Sequence, residues 1–328
     1  MLSLHIRPMC REDLDTAVEM PLNAYLLERD SCHSLPAKPN MDYIRQQLYA
    51  NIQTGTARLA IEAENPVGFM AFGKAFPIGD DIYGASSPLF GYGVKHEKRD
   101  VVMGKLFQKI ASELCERHIQ RFRVNVYAHD TSVLWMYIMT SFAMDLTEVI
   151  RDTGTPAISN TSKFNCREVS KSDLINYKAD IMEMYRDLVN HLRVSPVFYH
   201  CSPFLPLEAR FNDFLSDNLR LFAAFEGNVL VGMMNAEPVD IALLKNDLSA
   251  LCLGDAFVKP NYRGKGIATT LLAFASDTLK KDGIKRVLVT HGTINPNARG
   301  FWDKHFTNYS YSMSRLIDAD MLGQIERI

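Results

Sequence analysis

Residues 258–268 set the terms for any fold of this chain. They read Val258-Lys259-Pro260-Asn261-Tyr262-Arg263-Gly264-Lys265-Gly266-Ile267-Ala268 and join an apolar run at 251–258 to a helical pattern over 266–282. A further apolar run follows at 286–290. Strand, loop, helix and second strand make a parallel crossover, and such crossovers are right-handed. The loop holds the glycines Gly264 and Gly266 and the cations Lys259, Arg263 and Lys265. A helix N-terminus presents N–H groups without intrahelical partners and a partial positive charge. Glycines let a loop bring those groups close to a phosphate. The segment predicts an anion site, with a pyrophosphate as its natural occupant. A Walker loop is excluded, because Gly264-Lys265 is followed by Gly266 and not by Ser or Thr. The dinucleotide pattern fails as well, since its third small position is Thr269.

The order of elements around this loop occurs twice. In the second half, a strand at 164–169 and helices at 173–192 and 208–217 precede strands at 220–226 and 229–236, which flank the turn residues Glu226-Gly227-Asn228. After the crossover come a short helix at 297–305 and a last strand at 310–317. The first half runs from a strand at 5–7 through helices at 11–20 and 42–51 to strands at 57–63, 67–75 and 89–94. It ends with a helix at 101–118, a strand at 122–127, a short helix at 132–139 and a strand at 142–151. The polar stretch 152–161 is the natural junction, which divides the chain into 1–155 and 156–328. A chain of 328 residues suits about two domains at roughly 150 residues each. Strand pairs precede each crossover. Each domain is therefore expected to be α/β with a mixed, mostly antiparallel sheet, a central parallel β-α-β crossover, and helices on both faces.

Two motifs of the second half resemble the GNAT acyltransferase superfamily. Its pyrophosphate signature, Gln/Arg-x-x-Gly-x-Gly/Ala, is matched by Arg263, Gly266 and Ala268, and the preceding Val258-x-Pro260-x-Tyr262 is frequent in that family. A second family element, Asn-x-x-Ala-x-x-Phe-Tyr, is matched by Asn295, Ala298 and Phe301, with Trp302 in the Tyr position. The resemblance covers about residues 162–317 and implies a site. Acyl-CoA would lie where the strand ending at Val258 splays from the strand 286–290. Phe257, Val258 and Lys259 would pair with pantetheine. Arg263, Gly264, Lys265, Gly266, Ile267 and Ala268 would cradle the pyrophosphate, with Asn295, Ala298 and Phe301 alongside. The Val258 N–H would polarise the thioester carbonyl, an oxyanion-hole role.

The resemblance implies transfer of an acyl group, by default from acetyl-CoA, to a small-molecule amine attacking the thioester directly. An amine near pKa 10.4 must first lose a proton, so a base or proton wire is expected. Asp255 lies where the family often carries an acidic base, although a hydrogen-bonded structural carboxylate is the slightly better reading. Glu226 and Glu237 are further carboxylates at strand ends. Trp302 departs from the family, because an indole N–H is a donor and no useful acid. Tyr309 or Tyr311 could supply the proton instead, or none is needed, since a thiolate leaves as a stable anion. The segment 193–206, with three prolines and three aromatics, commonly borders the acceptor site in this family; it offers Phe198 and Tyr199 as substrate contacts. The segment 239–249 reads as a lid or an insertion. A non-catalytic acyl-CoA-binding or sensor protein is the alternative.

Segment 94–104 aligns without gaps with 258–268 and keeps Arg99 and the small residue Gly104. Asp100 replaces Gly264 and Val102 replaces Gly266. A carboxylate repels phosphate and a side chain blocks backbone approach. The first half therefore reads as a degenerate GNAT-like copy, with Asp130, Val133, Met136 and Tyr137 in place of the second motif.

Charge excludes other classes. Lys plus Arg is 36 against 38 for Asp plus Glu, no footprint for a nucleic-acid or membrane-surface partner. Apolar residues at 47% with charged residues at 23% are the mix of a soluble globular protein. No run reaches a membrane-spanning length, and the N-terminus has no apolar core of signal-peptide length. The six cysteines are scattered with no Cys-x-x-Cys pair, which suits reduced thiols of a cytoplasmic protein. His291 follows a strand and reads as structural, and no His/Asp/Glu spacing suggests a metal.

Overall fold

The structure is a computed structural model, and it describes residues 3–79, 82–155, 158, 163–194, 196–198, 206–244 and 247–317. The chain divides into two compact units. The first is Met1–Glu148 with Ile241–Lys245 and Asn308–Ile328, and the second is Val149–Asp240 with Asn246–Thr307.

The first unit begins with β1 (His5–Pro8), α1 (Leu14–Ser31) and α2 (Met41–Gln53). The strands β2 (Ala57–Glu62), β3 (Asn65–Ala71), β4 (Phe76–Gly79), β5 (Ile82–Ser87) and β6 (Tyr92–Val94) follow. Then come α3 (Arg99–Cys115), β7 (Ile119–Tyr127), α4 (Thr131–Met139) and β8 (Ala143–Asp152). The second unit contains β9 (Asn165–Glu168), α5 (Lys171–Asn176), α6 (Lys178–Arg193), α7 (Leu207–Leu215), β10 (Arg220–Glu226) and β11 (Val229–Pro238). It continues with β12 (Ala250–Leu253), β13 (Phe257–Val258), α8 (Ile267–Lys281), β14 (Arg286–Gly292) and α9 (Pro296–Trp302). The last strand, β15 (Thr307–Leu316), pairs antiparallel with β7, so its residues from Asn308 on belong to the first unit.

Both units are α/β with mixed sheets. In the second the strand order is β8-β14-β12-β11-β10-β9, β8 counting from Val149 on, with β13 attached to β11. Alternation along β10 puts Phe222 and Ala224 on one face and Leu221, Ala223 and Phe225 on the other. The first set packs with Ile267, Leu271, Leu272, Ala275 and Leu279 of α8. The second packs with Ile181 and Tyr185 of α6 and Phe211 and Phe214 of α7. Each such fully buried Leu or Phe contributes about 1.5–3 kcal/mol of transfer free energy.

Each crossover strand is broken, which the sequence pattern does not reveal. β12 pairs parallel with β14 over Ala250–Cys252, whereas β13 pairs antiparallel with β11. Register explains the break. Leu253 faces Ala236 and Phe257 faces Met233, so Gly254, Asp255 and Ala256 oppose only Met234 and Asn235. One extra residue makes a bulge, which bends the strand and re-aims its side chains. The first unit repeats the break: β5 pairs parallel with β7, and β6 pairs antiparallel with β3. The hairpin of β4 and β5 is the element the sequence pattern misses there.

The compact units part at 148/149, a few residues before the polar stretch 152–161. Two further expectations change. The helix expected at 173–192 is two, α5 and α6, meeting at Tyr177. Ile241–Lys245 belongs to the first unit, where Leu243 and Leu244 are buried, so the segment 239–249 is no simple lid.

The units also share a close contact between strand and helix. Gly232 on β11 stands opposite Val258, as Gly68 on β3 stands opposite Val94. A Cβ at Gly232 would lie 2.9 Å from Ile267 Cγ2 and 3.2 Å from Leu271 Cδ1, and one at Gly68 would lie 2.8 Å from Val102 Cγ1. Gly232→Ala is expected to cost about 1–3 kcal/mol by overpacking. Thermal unfolding measures it; an unchanged Tm would mean that α8 shifts freely.

Candidate active site

β13 opens the site. The Lys259 N–H donates to Val231 O at 3.0 Å, so Lys259 and Phe257 bond to β11. Residues alternate in an antiparallel pair, which turns the N–H and C=O of Val258 away from β11. β14 runs on to Gly292 while its parallel pairing stops at Leu288. The Val258 N–H is therefore directed into the gap where the strands part.

The loop after β13 is built for an anion. Pro260–Tyr262 form one 3-10 turn, Arg263 is extended, and Gly264 and Gly266 take φ of 75° and 78°. Gly266 is the N-cap of α8, and no side chain caps this helix. A Cβ on Gly264 would meet nothing within 4 Å, so backbone conformation, not space, asks for glycine there. Arg263 Nε donates to Val258 O at 3.2 Å, and its guanidinium lies 5.2 Å from the Phe257 ring centre. An uncapped N-terminus beside a held guanidinium fits a phosphate group.

A cleft of about 500 Å³ runs from this loop, within the range of ligand sites. Phe257, Val258, Arg263, Gly264, Gly266, Ile267, Ala268, Asn295, Ala298 and Phe301 all line it, as expected from the two motifs. Asn295 holds the far wall in place: its Oδ1 accepts from the Ala298 N–H at 3.3 Å and caps α9. Trp302 also lines the wall, wedged between Phe301 and Phe306. The two lysines do not line it. Lys259 Nζ turns to Asp180 at 3.3 Å and Glu183 at 3.9 Å, and Lys265 Nζ sits 4.7 Å from the Tyr262 ring centre.

The expected acid and base change most. Tyr309 is fully buried on β15, in the part of that strand assigned to the first unit, and does not line the cleft. Asp255 sits on the bulge with Oδ2 accepting from Arg210 Nε at 2.8 Å and 2.6 Å from Nη2. Its structural reading is the one the geometry favours. The same guanidinium lies 3.6 Å from Glu237 and 3.5 Å from Asp213. Burial pushes the Glu237 carboxyl above its ordinary pKa, with Arg210 opposing. Glu226 accepts the Tyr262 hydroxyl at 2.8 Å. His291 is buried, its Nδ1 3.3 Å from Gly292 O, and burial lowers its pKa. Phe198 is 71% exposed and off the cleft wall, and Tyr199 lies outside the described residues.

One residue went unread in the sequence. His191 lines the cleft from the last turn of α6, one turn beyond Leu188. Its spacing marks it only as a helix-face residue; nothing local ties it to the loop seventy residues later.

The corresponding place in the first unit is closed. α3 begins at Arg99, which stands where Arg263 stands in the second unit, so no glycine loop precedes the helix. Arg99 Nη1 donates to Val94 O at 2.6 Å, as Arg263 does to Val258 O. Its other nitrogens reach Asp130, at 2.5 Å from Nη2 and 3.2 Å from Nε. Asp130 is the N-cap residue of α4, the position Asn295 holds at α9, but its side chain turns to Arg99 and makes no capping bond. An internal ion pair thus spans the two motif positions.

Residues 185–306 match the acetyltransferase (GNAT) family. This stretch is a GNAT domain. A GCN5-related N-acetyltransferase from Sphaerobacter thermophilus shares the fold over nearly the whole length: 14% identity, 96% of this chain and 97% of that one, TM-score 0.57. A tandem GNAT protein from the clavulanic acid biosynthesis pathway aligns over 96% of this chain and 98% of that one at 13% identity and TM-score 0.46. No curated protein matches by sequence. Among the described residues no helix is long and apolar enough to cross a membrane, and no group of His, Cys, Asp or Glu could hold a metal.

Proposed function

We propose that the chain is an acyl-CoA-dependent N-acyltransferase with one active site, in the second unit, moving an acetyl group from acetyl-CoA to a small-molecule amine. One observation carries the reading: the Val258 N–H turns into a gap between parted strands, a few residues from the uncapped N-terminus of α8. The N–H groups after Gly264 and Arg263 receive the pyrophosphate. The free edge of β13 orders the pantetheine amides. The Val258 N–H stabilises the oxyanion as the amine attacks, and a donor aimed at developing charge in a closed cleft is worth far more than in water. Trp302 forms part of the wall and moves no proton. Thiolate departure needs little help, given a thiol pKa near 8.5.

The first unit, on this reading, binds no acyl-CoA. Arg99 and Asp130 pair with each other, whereas Arg263 and Asn295 at the matching positions of the second unit bond to Val258 O and the Ala298 N–H. The described cysteines are free thiols, which goes with a cytoplasmic setting. The test is release of free thiol from acetyl-CoA by the full chain with a panel of primary amines. Thiol release that depends on an amine supports transfer; acetyl-CoA binding with no acceptor supports a sensor.

A further inference from the structure

We infer that His191 is the proton-transfer residue of the second-unit cleft, an assignment that rests on the acyltransferase reading above. The lining side chains are mostly apolar or amide-bearing. His191, Tyr262 and Arg263 are the ones that carry ionisable groups. Arg263 does not deprotonate in proteins. The Tyr262 hydroxyl donates to Glu226, and that bond raises its pKa further. Of the three, His191 bears the side chain most used for general acid–base transfer, and from the cleft wall it takes the part that a Tyr at the Trp302 position would fill.

Position supports the role. Asp180 and Glu183, early in α6, face Lys259 at the end of β13. Tyr185 feels the charge of Asp255, so later turns of α6 lie beside earlier strand residues. The helix thus runs antiparallel to 255–259, and His191 comes roughly 9 Å beyond Tyr185 at 1.5 Å per residue. It stands away from the phosphate loop, on the side of the bulge. With the pyrophosphate at α8 and the thioester at Val258, that is the side from which an acceptor must approach. The ring is half-buried where it lines the cleft.

The charged and titratable groups around it are few. Asp187 precedes it by one turn on α6, Arg263 and Tyr262 share the wall from the loop, and Tyr185, Arg210, Asp213, Glu237 and Asp255 cluster at the bulge. α9 presents Asn295, Asn297, Phe301 and Trp302, none of them charged.

The step balances. The neutral amine nitrogen attacks the thioester carbon, and the carbonyl electron pair moves to oxygen against the Val258 N–H. The nitrogen loses one proton to His191. The carbonyl re-forms, the C–S bond breaks, and the thiolate takes that proton from the imidazolium, leaving amide, free thiol and neutral His191.

The test uses the full chain. The His191 ring signal, assigned by its loss in His191→Gln, is followed by NMR from pH 5 to 9 with and without acetyl-CoA, while calorimetry reports binding. We expect the signal to move when acetyl-CoA binds. We expect His191→Gln to bind acetyl-CoA within a few-fold of wild type. Its kcat with spermidine, tyramine or glucosamine should fall by about 10²- to 10⁴-fold and lose the acid limb of the pH profile. A ring signal unmoved by bound acetyl-CoA overturns the assignment, as does a variant with wild-type kcat and an intact acid limb. Failure of the wild type to bind acetyl-CoA falls on the acyltransferase reading instead, and takes this assignment with it.

Discussion

Gly266→Val is expected to abolish acetyl-CoA binding while the chain stays folded. Gly266 sits at φ 78° and ψ 5°, at the N-cap of α8. A β-branched residue at positive φ is a genuine outlier, and holding one there costs about 1–3 kcal/mol. The chain has two ways to respond. It can carry the strain, with the Val side chain standing where a phosphate would meet the backbone. It can flip the peptide and rebuild the loop, which takes the N–H groups away from the anion. Both outcomes remove the site. The first unit shows what the sequence does with a Val in this register: Val102 is fully buried inside α3, a helix that starts earlier, at Arg99. Calorimetry should find affinity reduced by roughly 100-fold or more, a loss of about 2.7 kcal/mol. Strain alone should lower Tm by only a few degrees. Wild-type affinity in the variant would remove the loop from the account.

Arg210→Ala is expected to destabilise the second unit strongly. The side chain is mostly buried and faces Asp255, Glu237 and Asp213, while its guanidinium lies 4.9 Å from the Phe214 ring centre. Truncation leaves three carboxylates around no cation. Breaking such a pair costs about 3 kcal/mol, since the remaining charge is desolvated without compensation. That corresponds to a fall in Tm of roughly 6–12 °C for a unit of this size. The pH dependence has a definite sign. The folded pKa of Glu237 is already raised by burial, and Arg210 holds it down. A raised carboxyl contributes stability below its unfolded pKa and loses it as pH rises through the folded value. Removing Arg210 raises that folded value further. The variant's deficit should therefore be larger at pH 7 than at pH 5, and chemical denaturation at both values measures it. A deficit independent of pH would mean that lost packing on Phe214 dominates.

What was legible in the sequence was chemistry that is local along the chain. Arg263, Gly264 and Gly266 lie within four residues, and the positive φ at both glycines is what their residue type permits. Asn295 and Ala298 were legible for the same reason, because a helix cap and the N–H it receives are three residues apart. The two halves could be matched because element order survives where motifs decay. The remainder depends on register and on neighbours in space. An apolar run such as 251–258 looks the same whether it is one strand or two pieces with a bulge, since only the count of residues on the facing strand reveals the extra one. The alternation at 310–316 marks a strand but does not name its partner, and so it misplaced Tyr309. Asp255 was readable as a carboxylate at the right place, but Arg210, forty-five residues earlier on α7, decides that it is held. His191 was invisible because its relation to the loop is set by the path of α6 past β13.

A single acyl-CoA site in the second unit fixes how many acetyl-CoA molecules the chain can hold. The measurement that bears on it most directly is the stoichiometry of acetyl-CoA binding to the full wild-type chain by titration calorimetry. One molecule per chain is expected, because the Arg99–Asp130 pair fills the equivalent place in the first unit. Two molecules per chain would contradict the closed first unit, and none would contradict the site itself.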